Sequence, residues 1–354
     1  MSAEGYIGEI REQPQVLRAL ARAFEPDHAA ELARVRRDLA SGTIAKVVMT
    51  GMGGSLHSLY PAHLALSQAC PIPTLLWDCS ELVQQAPEVI DDRTLVIAVS
   101  QSGESGELVR LCRSVARPQT AIAITNSGEN TLARWADISV RTLAGPERTA
   151  STKTYTAGLA GLALVTGALL GHDLSTQAAH ISAAAEMIER HLPAWQVMSV
   201  ELASFLGSDA PIAFVGRGVN LATAHMSALL TNEASKLSST AFSGGQFRHG
   251  PIELVREGFS CVIFASADHS TGALDRRTAD TVVELGGRCA WIGASRARAI
   301  PRPREFTVGL PDCDSTCLPI LNMIPVQLMQ VPLAQARGLV PAQFVNASKV
   351  TTIE

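Results

Sequence analysis

Three stretches of this sequence carry residue types able to hold or transform a charged ligand. The first is Ser100-Gln101-Ser102-Gly103-Glu104-Ser105, which follows an apolar run (residues 95–99) and opens a helical pattern. Its three hydroxyls, with the free N–H groups of a helix start, make a cradle for a phosphate, and the helix dipole helps. The same residues also serve simply as helix caps. Ser55, just after Gly51, Gly53 and Gly54, lies at another such turn and offers a fourth hydroxyl. The second stretch is Gly145-Pro146-Glu147 with Ala150-Ser151-Thr152-Lys153-Thr154. It is polar, broken by proline and followed by a long apolar run, so Ser151 or Thr152 reads as an N-cap and Lys153 as exposed. The third comprises Glu233, on a helical pattern over residues 225–236, and His249, between glycines in the loop 243–251. Glu233 reads as part of a solvated helix face. His249 is either a titratable group offered to a ligand or a loop histidine bonded to backbone. The residues from Asn346 onward read as a frayed tail.

The elements that must position these groups follow from composition and pattern. The chain has 354 residues, 29 Lys+Arg against 33 Asp+Glu, a formal net charge of −4 and 47% hydrophobic residues. Such a length predicts about two domains. So apolar a chain can offset its ordering entropy, which excludes disorder. The charge gives no general drive toward nucleic-acid backbones, so a bound phosphate must be held by local geometry and the partner is a small molecule. Seven cysteines form no CxxC and no metal-ligand spacing, and their odd number argues against a disulfide framework. Most read as core thiols; neither a metal nor a cofactor is expected. Cys313 and Cys317 stand four apart, and two ligands do not make a zinc site. The opening residues lack the basic and apolar regions of a signal peptide. The apolar run 156–171 is too short and too rich in glycine for a membrane span and predicts a buried helix, hence a cytoplasmic protein.

Strand, turn, helix order recurs along the chain. Residues 46–50 (KVVMT), 95–99 (LVIAV) and 120–124 (TAIAI) are each followed by Gly, Ser or Asn turns and then a helical pattern. Runs apolar on both faces, separated by helices, predict a parallel sheet. A second set stands in register with the first: Gly218 follows Gly53 by 165 positions, Ser266 follows Ser100 by 166, and Gly293 follows Thr125 by 168. One nearly constant offset predicts an internal duplication. The expected organisation is an N-terminal helical segment (1–42), a first α/β domain (43–172), a helical connector (173–205), a second α/β domain (206–333) and a tail (334–354). The copies are not equivalent. Where the first has Ser100 to Ser105, the second has Ser266-Ala267-Asp268-His269-Ser270, and an acid there repels a phosphate. The anion site is therefore expected in the first copy.

In order, GMGGS, SQSGES, AGPE with ASTKTYT, GRG, GGQFRHGP and SKVTTIE resemble the tandem sugar isomerase (SIS) domain family, in particular the isomerase half of glutamine–fructose-6-phosphate aminotransferase, over residues from about 45 to the last. The resemblance implies two homologous doubly wound parallel-sheet domains in tandem, and a homodimer with shared active sites. It implies that Ser55, Ser100, Gln101, Ser102 and Ser105 hold a sugar phosphate, and that Gly53, Gly54, Glu147 and Ser151 line the sugar pocket. Glu233 matches the glutamate that moves a proton between C1 and C2, His249 the ring-opening histidine supplied by the neighbouring subunit, and Lys349 the lysine of the tail that closes over substrate. These types suit the chemistry: a carboxylate can take and return a carbon-bound proton, histidine exchanges protons near neutrality, and a lysine steadies a developing oxyanion.

Departures from the pattern narrow the reaction. The first cysteine is Cys70 and the chain opens Met1-Ser2-Ala3, so the synthase's glutamine chemistry is not expected. Met226 and Leu230 stand where the synthase has a glutamate and a lysine, which predicts a different sugar end of the pocket. The stretch from Glu147 to Ala150 is one residue shorter than in the synthase. The expected activity is amino-sugar-phosphate deamination with ketose–aldose isomerisation. The alternatives are a deglycase of fructosamine 6-phosphates and a non-catalytic sugar-phosphate sensor; Glu233, His249 and Lys349 together argue against the sensor.

Overall fold

In a computed structural model that describes residues 3–266, 269–294 and 303–351, the chain divides into two compact units. The first comprises Glu12–Ala185 and the chain from Asn346 on; the second comprises the chain up to Arg11 and Glu186–Val345. Each unit is built on one five-stranded, wholly parallel sheet.

In the first unit the strands are β1 (Lys46–Gly51), β2 (Thr74–Asp78), β3 (Thr94–Val99), β4 (Thr120–Thr125) and β5 (Ile138–Arg141), in the order β2-β1-β3-β4-β5. One face carries Val48, Val96, Ala98 and Ala123 against Leu82, Leu108, Leu111 and Leu132 of the short helices Cys79–Gln85, Gly106–Ser114 and Thr131–Trp135. Helix Lys153–Leu170, which packs on Gln13–Ala40, is buried through nearly its whole length. It is the one described helix long and apolar enough to cross a membrane, and its burial accounts for that composition as core. It ends at Gly171, whose φ of 79° is the usual left-handed helix stop.

The second unit repeats the plan. Its strands are β6 (Ile212–Gly216), β7 (Ser239–Ser243), β8 (Ser260–Phe264), β9 (Arg288–Ala294) and β10 (Glu305–Leu310), in the order β10-β9-β8-β6-β7, which is the first sheet's order read from the other edge. Helices Asn220–Ala234 and Leu318–Ala336 pack together, joined by buried amides: Asn322 Nδ2 donates to Asn220 Oδ1 at 2.7 Å, and Gln330 Nε2 to Thr231 Oγ1 at 3.0 Å. The fold class and the duplication read from the sequence are therefore both present. Four strands escape the sequence pattern, β2, β5, β7 and β10, and these are the four sheet edges. The connector expected over 173–205 is a helix over Leu174–Leu206, and the N-terminal segment is two helices, Ala3–Arg11 and Gln13–Ala40.

Of the cysteines, Cys79, Cys261, Cys289 and Cys317 are buried, and burial pushes the Cys79, Cys289 and Cys317 thiols up to about 12. They stay protonated and pack as small apolar groups. Truncating the fully buried Ile97 at the centre of β3 to Ala should cost about 2–4 kcal/mol, whereas Thr240→Ala on the exposed edge strand β7 should stay within about 0.5 kcal/mol. Urea unfolding midpoints measure both.

Candidate active site

In a parallel sheet of order 2-1-3-4-5, the connections leave β1 and β3 toward opposite faces, and the crevice beyond their C-terminal ends is where ligands bind. Gly51 and Val99, the last residues of β1 and β3, are register partners. A cleft of about 370 Å³, including the space open to solvent at its mouth, lies there. Its walls include Gly54 and Ser55 after β1, Gln101 after β3, Thr125 and Thr142, and Ser151 and Thr154 at the start of the long buried helix.

The turn after β3 is held by its own side chains. Gly103 N–H donates to Ser100 Oγ at 3.0 Å, and Glu104 N–H to Ser102 Oγ at 3.2 Å. Ser100 is thus used inside the turn. Gly103 has φ +66°, and a Cβ there would lie 1.9 Å from Asn130 Oδ1. The same oxygen caps helix Thr131–Trp135 through Ala133 N–H, so no side chain fits at position 103. Ser105 stands at the N-cap of helix Gly106–Ser114, yet its buried hydroxyl bonds to nothing there. A buried hydroxyl without a partner is costly, and a ligand oxygen would satisfy it.

Across the cleft, the loop before the long helix departs from its sequence reading. Thr152 is the N-cap residue, but its side chain does not cap. Glu147 does: Oε1 accepts from Thr152 N–H (2.9 Å), Thr152 Oγ1 (3.2 Å) and Thr154 N–H (3.1 Å). Lys153 is not exposed; its side chain keeps 2% of its surface and pairs with Glu12. Expected in the pocket lining, the Glu147 side chain has no exposed surface at all. Its Oε2 accepts from Thr154 Oγ1 (2.5 Å) and from Lys349 Nζ (2.6 Å). Lys349 also donates to Thr149 O (2.8 Å) and Ser151 Oγ (3.3 Å). The tail is therefore not frayed as far as Thr351, whose carbonyl accepts from Gly106 N–H at 3.1 Å, one residue beyond Ser105. Residues 352–354 of the expected tail lie outside the described part of the chain. Of the site residues expected from the sequence, the first unit brings together Gly54, Ser55, Gln101 and Ser151 in the cleft wall, with Lys349 bonded to Ser151. Gly53, with φ +50°, begins the helix that follows β1.

The second unit's corresponding strand ends carry a different arrangement. Arg217, after β6, donates from Nε to Asp275 Oδ1 at 2.8 Å, and Asp275 Oδ2 accepts from the backbone N–H (3.1 Å) and hydroxyl (2.6 Å) of Ser266, after β8. A carboxylate of the protein itself occupies the donors that a ligand anion would use. The acid singled out in the sequence, Asp268, lies outside the described residues; Asp275 is the one that fills this turn. Burial pushes the Asp275 carboxyl upward, against the pull of Ser266 and Arg217.

Glu233 sits in the last turn of helix Asn220–Ala234 and is half-buried rather than fully solvated, and Lys236 Nζ donates to its carbonyl. Met226 and Leu230, two turns and one turn earlier on the same side, are completely buried. His249 is exposed, at the C-terminal end of helix Gly244–Arg248, and Gly250 beside it has φ +124°. Among the described residues no group of three His, Cys, Asp or Glu side chains is placed to share a metal ion.

The SIS domain family matches residues 44–166. Residues 44–166 are therefore a SIS domain. The chain is 31% identical over 98% of its length to glutamine–fructose-6-phosphate aminotransferase (isomerizing) of Pyrobaculum aerophilum, covering 57% of that protein, so it spans about half the length of this curated relative. Its fold is that of tandem SIS-domain structures. The C-terminal domain of glucosamine–fructose-6-phosphate aminotransferase from Francisella tularensis superposes with a TM-score of 0.85 at 22% identity, covering 96% of this chain and 98% of that one. Glucosamine-6-phosphate deaminase from Thermotoga maritima gives 0.73 at 19%, covering 98% and 99%.

Three variants test the site's construction. Gly103→Ala should cost about 1–3 kcal/mol from the positive φ and the collision with Asn130. Asp275→Ala, which strands the partly buried Arg217 guanidinium, should cost about 2–4 kcal/mol, and Asp275→Leu with Arg217→Met should recover most of that loss. Denaturant unfolding reads all three.

Proposed function

We propose that the protein acts on a phosphorylated amino sugar, shifting the carbonyl between C1 and C2 and releasing the amine. The observation that carries this reading is the cleft at the β1/β3 crevice: an unpaired buried hydroxyl, Ser105, lies in the turn beside it, and the Lys349 ammonium is bonded to its wall residue Ser151. Such a site offers hydroxyls and backbone N–H groups to a dianionic phosphate and a cation to a developing oxyanion. Ser55, Ser100, Gln101, Ser102 and Ser105 are the phosphate residues on this reading, with Ser100 shaping the turn from within.

The chemistry assigned to the side chains runs as follows. His249 passes the proton that opens the sugar ring. Glu233 takes the proton from C2 of the amino aldose and returns it to C1, which converts the amino aldehyde through an enolamine into a ketose imine. Lys349 steadies the negative charge on the C1 oxygen while the enolamine lasts. Water then adds to the imine carbon and ammonia leaves, giving a ketose phosphate. The relatives named above support the class of substrate, since the names of all three carry glucosamine or fructose 6-phosphate. The exposed position of His249 supports its service to a second copy in a homodimer.

Incubation with glucosamine 6-phosphate, galactosamine 6-phosphate and fructoselysine 6-phosphate, with ammonia, free lysine and ketose phosphate followed, tests the reaction. Ammonia with ketose phosphate is the expected outcome; free lysine would make the protein a deglycase, and tight phosphate-dependent binding without turnover would make it a sensor. Glu233→Gln should lower turnover by at least about 10³-fold with sugar-phosphate binding nearly intact, and retained activity would remove Glu233 from the mechanism. Ser105→Ala should weaken phosphorylated sugars about 10-fold and leave unphosphorylated sugars unchanged, as read by calorimetry.

A further inference from the structure

The carboxylate of Glu147 has no surface from which to touch a sugar, and we propose that it is the positioning residue for Lys349. This rests on the reading above only in taking Lys349 as the cation of the site. A buried carboxylate persists only where donors surround it. Three donors converge on Oε1, from Thr152 N–H, Thr152 Oγ1 and Thr154 N–H, and two on Oε2, from Thr154 Oγ1 and Lys349 Nζ. Nothing remains on either oxygen for a ligand hydroxyl. The carboxylate is anchored to the first turn of the long buried helix, which makes it a fixed negative charge at a fixed place.

The ammonium is correspondingly full. Its three protons go to Glu147 Oε2 at 2.6 Å, Thr149 O at 2.8 Å and Ser151 Oγ at 3.3 Å. The first two acceptors are a charged and a carbonyl oxygen at short distance; the third is a hydroxyl at the longest distance, and it belongs to the only one of the three residues that lines the cleft. A ligand oxygen arriving in the cleft can therefore replace Ser151 at the third proton while Glu147 and Thr149 keep hold of the other two. The tail is pinned a second time two residues later, where Thr351 O accepts from Gly106 N–H. Glu147 thus fixes where the charge sits and which of its protons is available, and the docked tail delivers it.

The test reads Lys349 directly and needs no substrate. The full-length protein is pulsed with acetic anhydride and acetylation of each lysine is followed by mass spectrometry. Lys46 serves as the internal reference, because its side chain is 24% exposed against 20% for Lys349 and has a single carboxylate partner, Asp91. In the unmodified protein Lys349 should react several-fold more slowly than Lys46; equal rates would overturn the proposal without any variant. In Glu147→Gln the Lys349 rate should rise about tenfold while Lys46 is unchanged, and in Ser151→Ala it should rise less than about twofold. Thr154→Val removes one donor to the carboxylate but leaves its charge, so Lys349 should stay protected; loss of protection there would mean that loop integrity, and not the carboxylate, holds the lysine. A folded Glu147→Gln protein with unchanged Lys349 reactivity also overturns the proposal. Absence of turnover on every amino-sugar phosphate would sink the proposed reaction and leave this result standing.

Discussion

Every strand in a parallel sheet ends at the same edge, and the backbone N–H and C=O groups that finish each strand must find partners in the turns that follow. That constraint organises the first unit. Gly51 and Val99 end side by side, the chain leaves them toward opposite faces, and the turn residues have to satisfy the strand ends while leaving a crevice between them. The turn after β3 does so with Ser100, Ser102 and Asn130 folded inward, and Asn130 leaves room only for a glycine at position 103. With the turn's own needs met by those groups, the Ser105 hydroxyl is left over. Local hydrogen bonding in this turn closes on itself and leaves one donor over.

The same topology does not dictate the same chemistry. In the second unit the strand order repeats, and the ends of β6 and β8 present Arg217 and Ser266 at the places corresponding to Met52 and Ser100. There Asp275 comes in from its helix and takes both groups. An internal carboxylate at about 2.6–3.1 Å from three donors is bound without any loss of translational freedom, which an external anion must give up. The duplicated crevice thus holds an ion pair of its own, and the asymmetry between the copies lies in a few side chains on a shared frame.

How far the sequence discloses this depends on burial. The six central strands announce themselves as apolar runs because both of their faces are covered. The four edge strands mix polar and apolar residues: Thr74–Asp78 is half-exposed throughout, and Ser239–Ser243 is mostly Ser and Thr beside a single phenylalanine. Pattern cannot separate such segments from loops. The serine turn was legible because its residue types and its place after a strand agree. The Glu147–Lys349 pair was not, since 202 positions separate its members, and local pattern carries no information about so distant a contact. Lys153 misleads for the same reason: a lysine at a helix start has every local reason to be solvated, and its burial follows from Glu12, 141 positions away.

The helix that carries Glu233 sets the surroundings of that carboxylate. Residues 226, 230 and 233 fall on one helical face by their spacing of four and three. Met226 and Leu230 are sealed from water, so of these three only the carboxylate at the end of the helix retains surface. Where a glutamate and a lysine on this face could bind a second polar group of a ligand, methionine and leucine offer only packing. The methionine and leucine thus fix the packing behind this face, and among these three residues they leave the carboxylate as the one polar side chain with access to solvent.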